Sequence, residues 1–231
     1  MTDLRPNSEI ADGVHWLFDS YVNLYIIESG EDLLMIDSGL NKKAKVPMKY
    51  IKTELEERRV SKIYLTHHHA DHMGGLHYLH EHYHPRNFAH EIDAQVITGE
   101  RKIPYPNNKL MWPIFFIAKP FMMPKRVKGV ELVKDGDVVD DMTVHHLPGH
   151  TMGSVGYQKG RTIFEGDSFD TFEGAGKLFT ENRAAAIESL RKLSVIDFDI
   201  LLGGHHKPIL EDAKMRVLDY MEKQGIEPSD S

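Results

Sequence analysis

Between His67 and His72 the chain places four histidines and one aspartate, in the run HHHADH. There is no cysteine in the 231 residues. Disulfides, thiolate metal sites and a cysteine nucleophile are therefore excluded. A metal held by this chain must be held by His, Asp and Glu, donors that suit zinc, iron or manganese better than a soft metal. In an extended stretch alternate side chains share a face, so His67 and His69 point together and His68 points away. Ala70 and the Gly74–Gly75 pair let the chain bend and bring Asp71 and His72 round to the same place.

Compatible groups recur later. His150 in LPGHTMGS, Asp167 in FEGDSF and His205 in LLGGHHKP each follow an expected strand, with glycine directly before them. A lone histidine is an ordinary structural residue. A crowded turn plus three such groups at strand ends is better explained by one shared rim. The other histidines carry less. His77, His80 and His84 lie at i, i+3, i+7 spacing and read as an exposed polar stripe rather than a second metal face. His145 and His146 fall inside a strand, one expected to face solvent and the other the interior. His15, His82 and His90 carry no motif.

The H-x-H-x-D-H run, the later His150, Asp167 and His205, and MIDSG at residues 35–39 together resemble the metallo-β-lactamase superfamily from residue 10 to about 210. The resemblance implies an α+β fold, a four-layer αββα sandwich with a two-metal site at one edge. It implies that His67, His69 and His150 hold one cation, that Asp71, His72 and His205 hold the other, and that Asp167 bridges them. His205 is preferred to His206 because it directly follows Gly204, and Asp37 is expected to orient a ligand through a hydrogen bond. Catalytic roles fall to Asp71 and Asp167. The implied cofactor is two divalent ions, zinc first, with iron or manganese as alternatives. Two cations about 3.5–4 Å apart can share a hydroxide, which would attack an ester, thioester or lactone carbonyl.

Branches of that superfamily differ in ways this sequence registers. Lactam-destroying members often place cysteine at the second metal; here Asp71 stands instead, so lactam hydrolysis is not expected as the main task. Glyoxalase II shares the Asp-containing motif but adds a C-terminal helical domain, and about 25 residues follow His205 here. Lactone-opening members often carry a tyrosine three residues after the bridging aspartate, where this chain has Asp170. A persulfide dioxygenase would bind one iron, for which His67, His150 and Asp167 would serve. A non-catalytic metal-binding protein is the remaining alternative. The net charge of −7, without a long basic run, disfavours nucleic acid.

These groups need a scaffold, and hydrophobic periodicity outlines one. VNLYIIES and LLMIDSG read as strands joined by GED. KKAKVPMKYIKTELEERRV reads as a surface helix with Pro47 in its first turn, and SKIYLT as a strand running into the histidine cluster. GGLHYLHEHY, a strand NFAH and a helix EIDAQVITGE follow. VELVKDGDVV, MTVHHLPGH, SVGYQKG and RTIFEGD read as strands, NRAAAIESLRKL as a helix capped by Asn182, FDILLGGH as a buried strand, and EDAKMRVLDYMEKQG as a helix ending near Gly225. Residues 1–231 are read as one domain. Residues 101–126, with five prolines and no steady period, form an apolar insertion or lid. Trp112, Phe115, Phe116 and Phe121 are expected to line an apolar pocket there, with a homodimer interface or plain core packing weighted equally. MTDLRPNSEIADG lacks the apolar core of a signal peptide. MWPIFFIAKPFMM, 13 residues interrupted by prolines and a lysine, is too short to span a bilayer. The expectation is a cytoplasmic protein acting on a small-molecule substrate, with no nucleic-acid or membrane partner.

Overall fold

A computed structural model describes residues 4–104, 112–113, 124–169, 171 and 179–228. Seven strands form the first sheet in chain order: β1 (Ser8–Ala11), β2 (Val14–Asp19), β3 (Val22–Ser29), β4 (Asp32–Ile36), β5 (Val60–Tyr64), β6 (Arg86–His90) and β7 (Val130–Val133). Pairing is antiparallel up to β4 and parallel from β4 to β7. The second sheet runs β12 (Ile200–Gly203), β11 (Thr162–Gly166), β10 (Val155–Lys159), β9 (Met142–His146), β8 (Val138–Val139).

The period of two along each strand decides which layer a side chain joins. In β3, Leu24 and Ile26 pack with α1 (Lys45–Glu54), α3 (Leu76–Tyr83) and α4 (Glu91–Thr98) through Tyr50, Ile51, Leu76, Leu79 and Ile97. Its alternate residues Tyr25 and Ile27 face the second sheet and meet Val144, Tyr157 and Phe164. On the far side Ile163 and Leu201 pack under α5 (Arg183–Val195) and α6 (Ala213–Gln224), against Leu190, Leu193, Val217 and Met221. Three apolar seams thus separate four layers, α, β, β and α. Each fully buried aliphatic side chain in them contributes about 1.5–3 kcal/mol by transfer from water. Truncating Ile26 to alanine would cost about 2–5 kcal/mol with the cavity included.

The expected helices form. Asn182 caps α5, its side chain accepting from the amides of Ala184 and Ala185, and α6 ends at Gly225 in the left-handed conformation. One reading is corrected and one hairpin is added. The hairpin of β1 and β2 was not anticipated. VELVKDGDVV is not one strand: Lys134 N–H donates to Asp137 across a turn with Gly136 at φ +78°, sending β7 to the first sheet and β8 to the second. In the insertion Trp112 is 45% exposed; Phe115, Phe116 and Phe121 lie outside the described residues. Among the described residues no helix is long and apolar enough to cross a membrane.

Candidate metal centre

Parallel pairing puts strand C-termini side by side. β4 delivers Asp37 and its parallel neighbour β5 delivers His67–His69, followed by the one-turn α2 (Ala70–Met73) with Asp71 and His72. In the other sheet the parallel pair β11 and β12 delivers Asp167 and His205. The sheets are laced together at this end. Tyr157 donates to the Leu65 carbonyl at 3.0 Å, Val155 N–H to Thr66 O at 2.9 Å, and Tyr25 and Asn23 to Gly203 O at 2.8 and 2.9 Å. Each half of the molecule thus supplies part of one cluster in fixed register.

Seven side chains meet there in three overlapping groups: His67, His69 and His150; His67, His72 and Asp167; Asp71, His72 and His205. His150 Nε2 lies 2.9 Å from His69 Nδ1. The Asp167 Oδ2 atom lies 3.2 Å from His150 Nε2, 3.2 Å from His205 Nε2 and 3.8 Å from His67 Nε2, while Oδ1 lies 3.3 Å from His72 Nε2. His205 Nε2 is 3.5 Å from Asp71. Ligands about 2.0–2.1 Å from a tetrahedral zinc stand about 3.3 Å from one another, so these spacings fit cation coordination. Among the described residues, His67 Nε2, His72 Nε2 and Asp167 Oδ1 are buried and find no hydrogen-bond partner. Leaving such groups bare costs about 1–3 kcal/mol each, and a cation would remove that cost. The donor set therefore fits one or two hard or borderline cations, with Asp167 facing both trios.

The protons are directed from behind. Asp37, held at φ +60°, accepts from Thr66 N–H at 2.8 Å, from the Thr66 hydroxyl at 2.7 Å and from His72 Nδ1 at 2.8 Å. With its hydrogen committed to Asp37, the Thr66 hydroxyl accepts from His67 Nδ1 at 3.1 Å. His205 Nδ1 donates to the Tyr21 carbonyl at 2.9 Å. Asp37, Thr66 and the Tyr21 carbonyl thus each hold a proton at Nδ1, so Nε2 is the ligating position of His67, His72 and His205 that faces the cluster.

Charge divides the cluster. Burial, reinforced by neighbouring imidazoles, pushes His67 and His69 well below the ordinary histidine pKa. Burial also lowers His150, against the pull of Asp167. Burial opposes charging of His72, but Asp167 and Asp37 overcome it and raise its pKa to about 10. His205 is raised to about 9, burial again opposing and Asp167 prevailing. Burial would raise Asp167 as well; His72, His150 and His205 instead hold it far below the usual carboxylate range.

Glycine is required where ligand-bearing segments touch. A Cβ on Gly204 would stand 2.2 Å from Asp167 Oδ1 and 2.7 Å from His72 Cε1. Gly149, at φ +138°, lies against the Ala186 backbone of α5.

Every residue expected at the metal centre reaches the cluster, and the neighbours sort out. His68 turns away and is buried, its Nδ1 3.0 Å from Asp93. Asp93 also accepts from His68 N–H and the Thr151 hydroxyl, both at 2.8 Å. His206 pairs with buried Glu165 at 3.2 Å. His145 and His146 do not divide between solvent and interior: both are half-buried, bonded to Gln158 and to the Met152 carbonyl. Among the described residues His77, His80 and His84 form no ligand group. Position 170 lies outside the described residues. The sequence reading missed Thr66, Asp93 and Tyr21; the acidic residue within the apolar EIDAQVI run was a signal for Asp93.

The description "metallo-beta-lactamase superfamily" belongs to a family model that matches residues 17–205. A probable metallo-hydrolase of Bacillus subtilis (strain 168), YflN, is 27% identical, with 90% of each chain covered. A hydroxyacylglutathione hydrolase of Pectobacterium carotovorum is 26% identical over 71% of this chain, which spans only 55% of that protein. Among solved structures, TTHA1623 in a di-iron-bound form aligns with a TM-score of 0.64 and 24% identity, covering 83% of this chain and 91% of the other.

Proposed function

This chain belongs to the metallo-beta-lactamase superfamily, and from that membership we propose a metal-dependent hydrolase that opens ester, thioester or lactone bonds at a dinuclear zinc centre. The observation that carries the reading is the convergence of seven donors, with Asp167 within 3.8 Å of imidazoles from both trios. A pair of divalent cations supplies an acidified water and Lewis-acid polarisation of a carbonyl.

The protein's own groups do the rest. Asp37 and Thr66 keep His67 and His72 in the tautomers that present Nε2. Asp71 and His205 are the open side, 18% and 28% exposed, while His67, His72 and His150 are sealed. Substrate therefore enters over Asp71 and His205. Water's OH goes to the acyl carbon and its proton to the leaving oxygen or sulfur. The name of the Bacillus relative supports metal-dependent hydrolysis, that of the Pectobacterium relative supports an acyl substrate, and the di-iron neighbour keeps iron as a rival filling. A dioxygenase with one iron on His67, His150 and Asp167 would leave four of the seven donors unused.

Elemental analysis of protein made without added metal, paired with an ester, lactone and thioester panel, tests the reading. Two equivalents of metal with turnover of one class are expected. One equivalent of iron with oxygen consumption would replace it with the dioxygenase, and two bound metals without turnover would favour a binding protein.

A further inference from the structure

The tip of the β2–β3 hairpin and the loop after β4 border an open cleft of about 400 Å³. Lys42, Lys43 and Lys45 line it together with Asp19, Ser20 and Asn41. Asp19 is buried and engaged: it accepts from Asn41 N–H at 2.9 Å and from the Ser20 hydroxyl at 3.3 Å. The lining carries three ammonium groups against one carboxylate, a net +2 (3 − 1), in a chain whose total is −7. A cleft with one dominant sign concentrates ions of the other. Lys45 is also the first residue of α1, whose cap residue Ala44 makes no side-chain cap and whose first turn holds no acidic residue. The positive end of that helix adds to the same field.

Two of the segments that line the cavity also reach toward the centre. The Leu40 carbonyl packs where a Cβ on Gly74 would stand, two residues beyond His72. Tyr21, next to Ser20, holds His205 through its carbonyl and lays its ring parallel to that imidazole, with centroids 5.9 Å apart at 14°. Its ring is half-exposed.

We propose that this cavity is a subsite for an oxyanion tail: the substrate carries a carboxylate or phosphate remote from its scissile carbonyl, and Lys42, Lys43 and Lys45 hold it. The catalytic half of this statement rests on the hydrolase reading; the anion-binding half does not. Three screened ion pairs of the ordinary exposed kind multiply to about tenfold.

The test uses metal-loaded protein and two matched esters, p-nitrophenyl butyrate and mono-p-nitrophenyl glutarate. The ratio of kcat/KM, carboxylated over neutral, is expected at about ten for the native chain. It falls to about one in a Lys42→Ala/Lys43→Ala/Lys45→Ala variant and stays at about ten in a Lys49→Ala/Lys52→Ala/Lys223→Ala control, which removes equal charge from exposed positions elsewhere. A native ratio near one, or a ratio unchanged in the first variant, overturns the proposal. Independently of turnover, glutarate and inorganic phosphate are titrated against backbone amide shifts of residues 41–45. Saturable shifts that weaken with salt and vanish in the first variant support the subsite, and the tighter anion identifies the group; no shift with either overturns it. Saturable binding with neither ester turned over would sink the hydrolase reading and leave the subsite standing.

Discussion

Replacing Asp37 with asparagine reverses the hydrogen-bond polarity behind two ligands while preserving shape. The carboxylate accepts three hydrogens, from Thr66 N–H, the Thr66 hydroxyl and His72 Nδ1. An asparagine can still accept from Thr66 N–H through its oxygen, but it then turns an NH₂ donor toward the other two. His72 must accept at Nδ1, so its remaining proton moves to Nε2 and faces Asp167. The Thr66 hydroxyl, now an acceptor from asparagine, donates to His67 Nδ1 instead of accepting from it, and His67 too carries its proton at Nε2. Losing the partner behind one ligand costs about 10–100-fold in metal affinity. With two ligands reversed the expected loss is about 10²–10⁴-fold, roughly 3–6 kcal/mol at 1.4 kcal/mol per decade. Competition against a chromogenic chelator reads the affinity, and long-range ¹⁵N–¹H spectra of the imidazoles read the tautomers. Thr66→Val separates the two branches: it leaves Asp37 on His72 and disrupts His67 alone, for an intermediate loss. Native affinity in Asp37→Asn, or native tautomers at His67 and His72, would refute the relay.

The two trios should load differently with pH. In the metal-free protein His72 titrates at about 10 and His205 at about 9, so at neutral pH a cation must displace their protons. Affinity for the second equivalent is expected to rise about tenfold or more per pH unit between 7 and 9, whereas the lowered His67, His69 and His150 leave the first equivalent nearly flat above pH 7; titration calorimetry in several buffers measures both. Gly204→Ala places its methyl 2.2 Å from Asp167 Oδ1 and should leave far-ultraviolet circular dichroism native while purified protein loses at least most of its metal. Asp93→Ala strands buried His68, and urea unfolding should register a loss of about 3–5 kcal/mol. That difference has a defined pH window. Burial opposes both shifts, but His68 holds the Asp93 pKa below the ordinary aspartate value, so its share is lost as pH falls through the folded value. Asp93 raises His68, so that share is lost as pH rises through a folded value above 6.5. A flat difference from pH 3 to 9 would contradict the pairing.

Most of the scaffold was legible because burial on both faces writes itself into composition. VNLYIIES could only be a strand covered on two sides, and the 3.6-residue spacing of Val46, Tyr50 and Ile51 could only face one layer. The β1–β2 hairpin escaped because its outer strand is three half-exposed residues and one exposed, of mixed character, closed by Gly13 at φ +66°. The division of VELVKDGDVV escaped for another reason. A turn within a β-rich run is visible in DGD, but which sheet each arm joins depends on partners about 40 and about 5 residues away, Asn87 and Thr143. Local pattern carries no record of that choice.

At the centre the ligand types and spacings were legible; the groups behind them were less so. Asp37 was accessible as an acid before glycine at the end of a strand. Thr66 was not, since a threonine before three histidines has no distinguishing chemistry until its hydroxyl is seen between Asp37 and His67. The choice between His205 and His206 shows the same limit from the other side. Adjacent residues with identical side chains point to opposite tasks because β12 ends at Gly203. There the chain bends so that one imidazole meets Asp167 at 3.2 Å and the next meets Glu165 at 3.2 Å. Glu165 and Asp167 are themselves two apart on one segment, so two parallel strand ends form a ladder of two acid–histidine rungs. The lower rung also accepts Phe169 N–H, which fixes the bend that carries Asp167. Glu165→Gln keeps that amide contact and removes the charge opposite His206. Metal release from it should quicken while far-ultraviolet circular dichroism stays native, and a release rate equal to that of the native chain would confine His206 and Glu165 to packing.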